Sequence, residues 1–320
     1  MLFILLSSIL FTITFAFLIL LYNKLTLGIC KCSKHLVGKV VIVTGGNAGI
    51  GYETAKNLAE RGARVILACR NDQRGVTARD KIILETGNED VHYLNLDLAS
   101  LKSVRNFAEK ILKTEKRLDI LVNNAGIYGS EFKKTEDGLN LLMQVNYFGH
   151  FLLTNLLIPL LKTSAPSRII NVSSLLHVTC SLDINNLNFE NATKETYDVN
   201  KVYATSKLCN VLMTVELAQQ LKNTGVTANS LHPGLIDTDI ITTIPWLNLI
   251  RTLMKPIVYK SAWEGAQTTI YLAVCPKVED VSGYYYSDCR QKNTSAYYEA
   301  HYAQVANKLW NISQKIVKLE

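Results

Sequence analysis

Lys39-Val40-Val41-Ile42-Val43-Thr44-Gly45-Gly46-Asn47-Ala48-Gly49-Ile50-Gly51 is the stretch on which the reading of this chain turns. Its Val/Ile run is short and lacks polar alternation, the pattern of a strand buried on both faces. The run passes directly into a glycine-rich turn. After the turn, Gly51–Arg61 sets Ala55, Leu58 and Ala59 on one helical face. Glycines between a strand and a helix let the backbone bend sharply and approach a pyrophosphate resting on the helix N-terminus. The spacing is G-x-x-x-G-x-G from Gly45, not G-x-G-x-x-G, and would be weak evidence by itself; its position between strand and helix gives it weight. Gly45, Gly46, Asn47, Ala48, Gly49, Ile50 and Gly51 are the candidate phosphate-cradling residues.

Working outward, Arg64–Cys69, Val91–Leu96, Asp119–Val122 and Arg168–Ser173 are further short apolar runs, separated by helical patterns. Alternating strand and helix with short connections predicts a doubly wound parallel sheet flanked by helices, a Rossmann-like α/β fold over residues 38–320. No repeat, low-complexity tract or linker follows residue 40. The second strand ends at Arg70, where an NAD-binding chain would carry Asp or Glu for the ribose 2′-hydroxyl. A guanidinium can instead hold a 2′-phosphate in a bidentate way, with Arg74 as a second contact, so NADP(H) is favoured. The plainer alternative is a surface arginine after a strand. Asp72 lies two positions too late and is expected to be solvated.

The 320 residues are 48% apolar and 19% charged, a core-forming composition. Seven cysteines without paired spacing exclude a disulfide scaffold, and no Cys/His set has zinc spacing, so no metal is expected. Four of the seven net positive charges belong to Lys24, Lys31, Lys34 and Lys39, leaving the rest too dilute for nucleic-acid binding.

Leu2–Tyr22 carries no charge over 21 residues. As a helix it would reach roughly 31 Å, about one hydrocarbon core. No Lys or Arg precedes it, the run exceeds a signal-peptide core, and no A-x-A-like site follows, which favours an uncleaved anchor over a signal peptide. The expected organisation is a transmembrane anchor at 1–23, a basic juxtamembrane segment at 24–37, and the α/β domain. Lysines on the C-terminal flank place that domain in the cytosol, where free cysteines are at home. The sequons at Asn171, Asn191, Asn293 and Asn311 then carry no glycan, and Asn171 falls in a buried strand in any case. Cys30 and Cys32 beside the membrane read as ordinary thiols or as acylation sites.

Tyr203 and Lys207 stand at i and i+4 on one face of a predicted helix. A phenol is a poor acid–base group at neutral pH unless a neighbouring cation favours its ionised form. Y-x-x-x-K is common by chance. Its company is not: Ser173 and Ser174 end the fifth strand at the edge where open parallel sheets bind ligands, and Asn146 lies in the preceding helical run.

These features together resemble the short-chain dehydrogenase/reductase family across residues 38–290. The matching motifs are TGGNAGIG at 44–51, LDL at 96–98, NNAG at 123–126, VN at 145–146, NVSS at 171–174, YATSK at 203–207 and HPG at 232–234. More narrowly, LACR at 67–70, LDLAS at 96–100, GYYYSDC at 283–289, ANKLWNIS at 306–313 and the anchor resemble the membrane-anchored retinol dehydrogenase branch. The resemblance implies that Tyr203 exchanges the proton with the substrate oxygen. It implies that Lys207 lowers the tyrosine pKa and binds ribose, that Ser174 hydrogen-bonds the substrate oxygen, and that Asn146 holds a water linking Lys207 to solvent. Asp97 and Leu98 are implied near the adenine; Asn124, Ala125 and Gly126 along the cofactor; Pro233, Gly234 and Thr238 at its nicotinamide end. For an uncleaved anchor of this branch the endoplasmic reticulum is the default, and a homo-oligomer stays open.

Two segments bear on substrate. Ser174 and Tyr203 are 29 positions apart, a longer interval than expected for the branch, and the polar stretch 183–201 lies between them. It reads either as a surface excursion or as a change in specificity. Residues 238–260, where the family carries a substrate lid, hold Ile240, Ile241, Ile244, Trp246, Leu247, Leu249, Ile250, Leu253 and Met254. So many apolar groups after a turn suit a lipophilic substrate, a bilayer surface, or packing on the domain. The substrate expected is a lipophilic alcohol or its carbonyl, retinol/retinal foremost, with farnesal, steroids and lipid aldehydes as alternatives. A nucleotide-sensing Rossmann protein without turnover would be expected to lack Tyr203, Lys207 or Ser174. An epimerase would need a longer C-terminal substrate domain than the residues after GYYYSDC supply.

Overall fold

Eight strands form one sheet in the order β3-β2-β1-β4-β5-β6-β7-β8, parallel except for the last pair. The computed structural model describes residues 24–129, 131–235, 259–292 and 296–319, together with 11, 14, 15, 17, 18, 21 and 22; side chains of 296–302 lie outside the description. The strands are β1 (Val40–Thr44), β2 (Arg64–Cys69), β3 (Val91–Asn95), β4 (Ile120–Asn123), β5 (Ser167–Val172), β6 (Val226–His232), β7 (Tyr285–Ser287) and β8 (Arg290–Gln291). Between them run α1 (Gly49–Glu60), α2 (Asp72–Thr86), α3 (Leu101–Thr114), α4 (Leu141–Thr163), α5 (Val199–Gln220) and α6 (Ala262–Val274), and α7 (Ala296–Ile316) closes the chain. The five expected strands are all present. Each boundary moves by a residue or less.

The period-two alternation within each strand separates two cores. Val41, Val43, Val65, Leu67, Val122 and Ile170 pack with Ala55, Leu58 and Ala59 of α1 and Ala266 and Ile270 of α6. Ile42, Ile66, Leu121 and Ile169 face the opposite layer, against Val104 and Phe107 of α3, Phe151 and Leu157 of α4, and Leu212 and Leu217 of α5. Burial on both faces is why these strands read as unbroken apolar runs. Helix α4 is long and apolar enough to cross a membrane, yet most of it is buried inside the domain, which makes it a core helix. Trp310 of α7 packs edge-on against Phe151, and Ser313 hydrogen-bonds the Tyr147 hydroxyl at 2.8 Å, so the C-terminal helix joins this layer.

Strand order reverses between β1 and β4. The crevice beyond their carboxyl ends is where an open α/β sheet binds ligands.

Residues 24–37 are bound to the domain as a strap. Arg61 Nη1 donates to the carbonyls of Cys32 (2.8 Å) and Lys34 (3.1 Å), Cys30 N–H donates to Gln267 Oε1, and Lys34 pairs with Glu279 at 2.8 Å. Lys24 pairs with Glu264 at the start of α6. Among the described residues of the expected anchor, Phe11, Phe15, Phe17, Leu18, Leu21 and Tyr22 are helical and their side chains are exposed.

Candidate functional site

The turn after β1 is built for close approach of a ligand to backbone. Gly45 and Gly49 have φ of +64° and +54°, and nothing lies within 4 Å of a Cβ added at Gly49. At Gly51 a Cβ would stand 2.3 Å from the Gly45 carbonyl oxygen, so only glycine fits there. Ala48 caps α1 in an extended conformation with no side-chain hydrogen bond, leaving the first-turn N–H groups for an anion. The amides of Gly45, Gly46 and Asn47 lie against the Cys69 sulfur; burial nevertheless pushes that thiol up to about 11. Ile50 is half-buried at the start of the helix. The uncapped N–H groups at the start of α1, behind a glycine turn with room for a ligand, fit the phosphates of a dinucleotide.

Arg70 is exposed at the end of β2, and among the described residues no carboxylate pairs with its guanidinium. Asp72 is exposed, as expected, and is also held by Tyr93 Oη at 2.5 Å and Asn95 Nδ2 at 2.6 Å, bonds that lower its pKa. Asn95 also donates to the Arg70 carbonyl. Arg74 is exposed and its backbone N–H bonds Asn71 Oδ1. Asp97 uses its carboxylate to accept from Ala99 N–H at 2.9 Å, which shapes the turn after β3. Leu98 is buried with its carbonyl against Gly149, where a Cβ would come within 2.7 Å of the oxygen.

Asn124 and Ala125 hang from a residue outside the candidate set. Both backbone N–H groups donate to Thr44 Oγ1 at 2.9 Å, and Asn124 Nδ2 donates to the Thr44 carbonyl. Gly126 follows, and a Cβ there would meet Lys207 Nζ at 3.3 Å and Asn146 Oδ1 at 3.4 Å. The Asn146 side chain is fully used: Oδ1 accepts from Ile127 N–H (2.8 Å), and Nδ2 donates to the Ile127 carbonyl (3.0 Å) and Ser206 Oγ (3.1 Å). Asn146 lies in a π-helical turn, Gln144–Phe148, in which the Gly149 N–H reaches back to the Gln144 carbonyl.

Tyr203, Lys207 and Ser174 meet across α5 and the end of β5. Lys207 Nζ is 5.6 Å from the centre of the Tyr203 ring and donates to the Val172 carbonyl at 3.1 Å. Burial lowers the Lys207 pKa to about 8. The Tyr203 phenol stands above its ordinary value, chiefly through burial and slightly through Tyr128, with the Ser174 hydroxyl pulling it back. Tyr128 packs edge-on to Tyr203 at 5.0 Å. Ser173 Oγ donates to the Lys207 carbonyl at 2.7 Å, a structural role that leaves Ser174 as the serine facing the phenol. Two histidines brace Ser174: His177 Nδ1 bonds the Ser174 carbonyl at 2.6 Å, and His232 Nδ1 accepts from Leu175 N–H at 3.1 Å. Burial drives His232 down to about 4.

Pro233 is buried after β6, and Gly234 takes φ +100° with the Lys260 side chain against it. Thr238 and the lid residues 238–258 lie outside the described residues. The 183–201 segment packs onto the loop before α4: Asn188 Oδ1 accepts from Asn140 N–H, Glu190 pairs with Lys134, and Tyr197 meets Phe132 at 5.4 Å. Its Asn200 accepts a hydrogen bond from Tyr128, which packs against Tyr203. Sequence reasoning missed Thr44, His150, Ser206 and Asn210. A buried polar residue on an apolar helix face was the available signal for the last three.

A family model described as short chain dehydrogenase matches residues 39–181 and 190–245. The chain is 45% identical to human retinol dehydrogenase 13 over 307 residues, covering 94% of this chain and 91% of that protein. It is 43% identical to bovine retinol dehydrogenase 12, covering 91% and 90%. Its fold matches a short chain dehydrogenase from Burkholderia cenocepacia J2315 solved in complex with NADP, with TM-score 0.63 and 27% identity, covering 79% of this chain and 96% of that one.

Proposed function

The chain belongs to the short-chain dehydrogenase family and is a retinol dehydrogenase-like oxidoreductase; from that premise we propose that it reduces a lipophilic aldehyde with NADPH, retinal foremost. The observation that carries the reading is the placing of the half-buried Tyr203 phenol with the Ser174 hydroxyl and the Lys207 ammonium beside it at the crevice edge, its pKa raised by burial. A phenol held above its ordinary pKa is in the form that gives a proton to a carbonyl oxygen, which is the demand of the reductive direction.

NADPH, when bound, supplies the hydride. Gly45–Gly51 would hold its phosphates and Arg70 its 2′-phosphate, since a free guanidinium suits a dianion and Asp72 is tied elsewhere. Tyr203 Oη gives its proton to the substrate oxygen while the Ser174 hydroxyl hydrogen-bonds that oxygen. Lys207 offsets negative charge left on the phenol. Asn146 fixes the 126–127 backbone beside the lysine, so the ammonium keeps its place during the transfer.

Leu175, Leu176, Val178 and Leu235 are exposed on the segments following Ser174 and Gly234, which suits an apolar substrate at the mouth of the crevice. The exposed helical residues among 11–22 support an N-terminal anchor, with the domain on the cytosolic side set by the flanking lysines. Substrate dissolved in the bilayer would then enter directly.

Detergent-solubilised full chain, assayed with NADPH and NADH against retinal, farnesal, a medium-chain aldehyde and a ketosteroid, tests this. Retinal turnover with an NADPH preference is expected. Tyr203→Phe should lower kcat by about a thousandfold while leaving NADPH affinity within about threefold. A Tyr203→Phe enzyme with wild-type kcat would overturn the proton-donor assignment, and turnover confined to another carbonyl would replace the substrate.

A further inference from the structure

We infer that His150 is a positioning residue for the proton-transfer centre, its neutral ring tying Thr44 at the nucleotide turn to the main-chain carbonyl of Asn146 beside Lys207. The inference rests on the oxidoreductase reading above and adds a residue to that site.

His150 is fully buried on α4. Its Nδ1 lies 3.3 Å from the Asn146 carbonyl oxygen and its Nε2 lies 2.9 Å from Thr44 Oγ1. A carbonyl can only accept, so Nδ1 carries the hydrogen and Nε2 is the acceptor. The Thr44 hydroxyl, whose other acceptor is the more distant Val122 carbonyl at 3.3 Å, donates to Nε2, which leaves its oxygen to accept from the Asn124 and Ala125 amides, as the geometry has it. This arrangement satisfies every polar atom of the link. A second proton on the ring would point N–H at an oxygen already accepting twice. Burial and the nearby Lys207 charge, the charged group acting on the ring, hold the imidazole down to about 3.

The chain of bonds continues beyond Asn146. Its carbonyl also accepts from Asn210 Nδ2 at 3.1 Å, and the same amide lies 3.4 Å from the Val172 carbonyl to which Lys207 donates. One hydrogen-bonded path thus runs from the amides of residues 124–125 through Thr44, His150, Asn146 and Asn210 to the lysine ammonium. Four elements, β1, α4, α5 and β5, are registered by it. Because the ring stays neutral at any working pH, its contribution is orientation and not charge.

His150→Leu removes both ends of the link, Thr44→Val breaks it from the other side, and Thr44→Ser keeps the hydroxyl. In the full chain in detergent, with NADPH and the aldehyde that the wild type reduces, both breaking variants should lose at least tenfold in kcat. Their NADPH affinity should stay within threefold, and the midpoint of the kcat–pH profile should move by half a unit or more. The double variant should be no worse than the weaker single, and Thr44→Ser should lie within threefold of wild type. If His150→Leu does not fold, the Thr44→Val and Thr44→Ser pair carries the same thresholds. Hydrogen exchange without substrate gives an independent reading: Thr44→Val and His150→Leu should each speed exchange in 144–150, the segment that carries the ring and the Asn146 carbonyl. Unchanged exchange there, a kcat within twofold of wild type with an unmoved profile, or additive losses overturn the inference. A wild type silent on every carbonyl would sink the functional reading, while the exchange result would still decide the role of His150.

Discussion

Replacing Lys207 with methionine should make the protein more stable at neutral pH while abolishing its chemistry. The ammonium is buried, and its pKa falls from 10.5 to about 8 on that account. Below pH 8 the lysine is protonated in both folded and unfolded chains, and burying the charge costs roughly 3 kcal/mol. Between about 8 and 10.5 the folded state releases its proton before the unfolded chain does, so the cost fades as pH rises; above 10.5 it is gone. Lys207→Met removes this cost and keeps most of the volume. Against it stands one hydrogen bond to the Val172 carbonyl, worth about 1 kcal/mol, and Asn210 Nδ2 remains at 3.4 Å to serve that oxygen. The net expectation is a gain of about 2 kcal/mol at pH 7. The assay is denaturant unfolding of wild type and variant in the same detergent at pH 7 and at roughly pH 9.5, where the difference should shrink by about 2 kcal/mol. A variant less stable than wild type at pH 7, or a difference indifferent to pH, would refute the reasoning. It would mean that the ammonium is better solvated or better paired than its surroundings suggest.

Arg70→Asp should raise the NADPH dissociation constant by at least tenfold, about 1.4 kcal/mol, and improve NADH relative to it; equal affinities before and after would remove the 2′-phosphate argument. Gly51→Ala forces a methyl to 2.3 Å from the Gly45 oxygen, and should cost about 1–3 kcal/mol of stability and weaken dinucleotide binding, measured by thermal unfolding and cofactor fluorescence. A melting temperature and affinity both equal to wild type would show that the turn relaxes freely.

What the sequence made legible follows from local chemistry. Val40–Thr44 and its fellow strands announce themselves because burial on both faces demands apolar residues throughout, and Tyr203 and Lys207 share a face because a helix repeats every 3.6 residues. Glycines at positive φ are readable for the same local reason. The rest depends on partners far away in the chain. Thr44 meets His150 across 106 positions, and Asn210 meets Asn146 across 64. Asp72 is solvent-exposed as its sequence suggests, but nothing near it in sequence foretells the hydrogen bonds from Tyr93 and Asn95. The π-helical turn at Gln144–Phe148 has no residue pattern that separates it from the α-helix on either side. The polar stretch 183–201 reads from sequence as a surface excursion or as a change in specificity, and its side-chain bonds to the loop before α4 depend on partners about 50 positions away.

The strap formed by residues 24–37 decides how tightly the proposed anchor would govern the domain. Fourteen free residues could span up to about 50 Å, enough slack for a domain to tumble and drift above a surface. Here Lys24, Cys30, Cys32 and Lys34 are fastened to α1, α6 and the turn behind it, so the leash has almost no length. On the proposed anchor, a domain held in this way would ride at one height and one tilt, like a rudder fixed to its post. Its crevice would then sample only the thin layer of lipid directly beneath it.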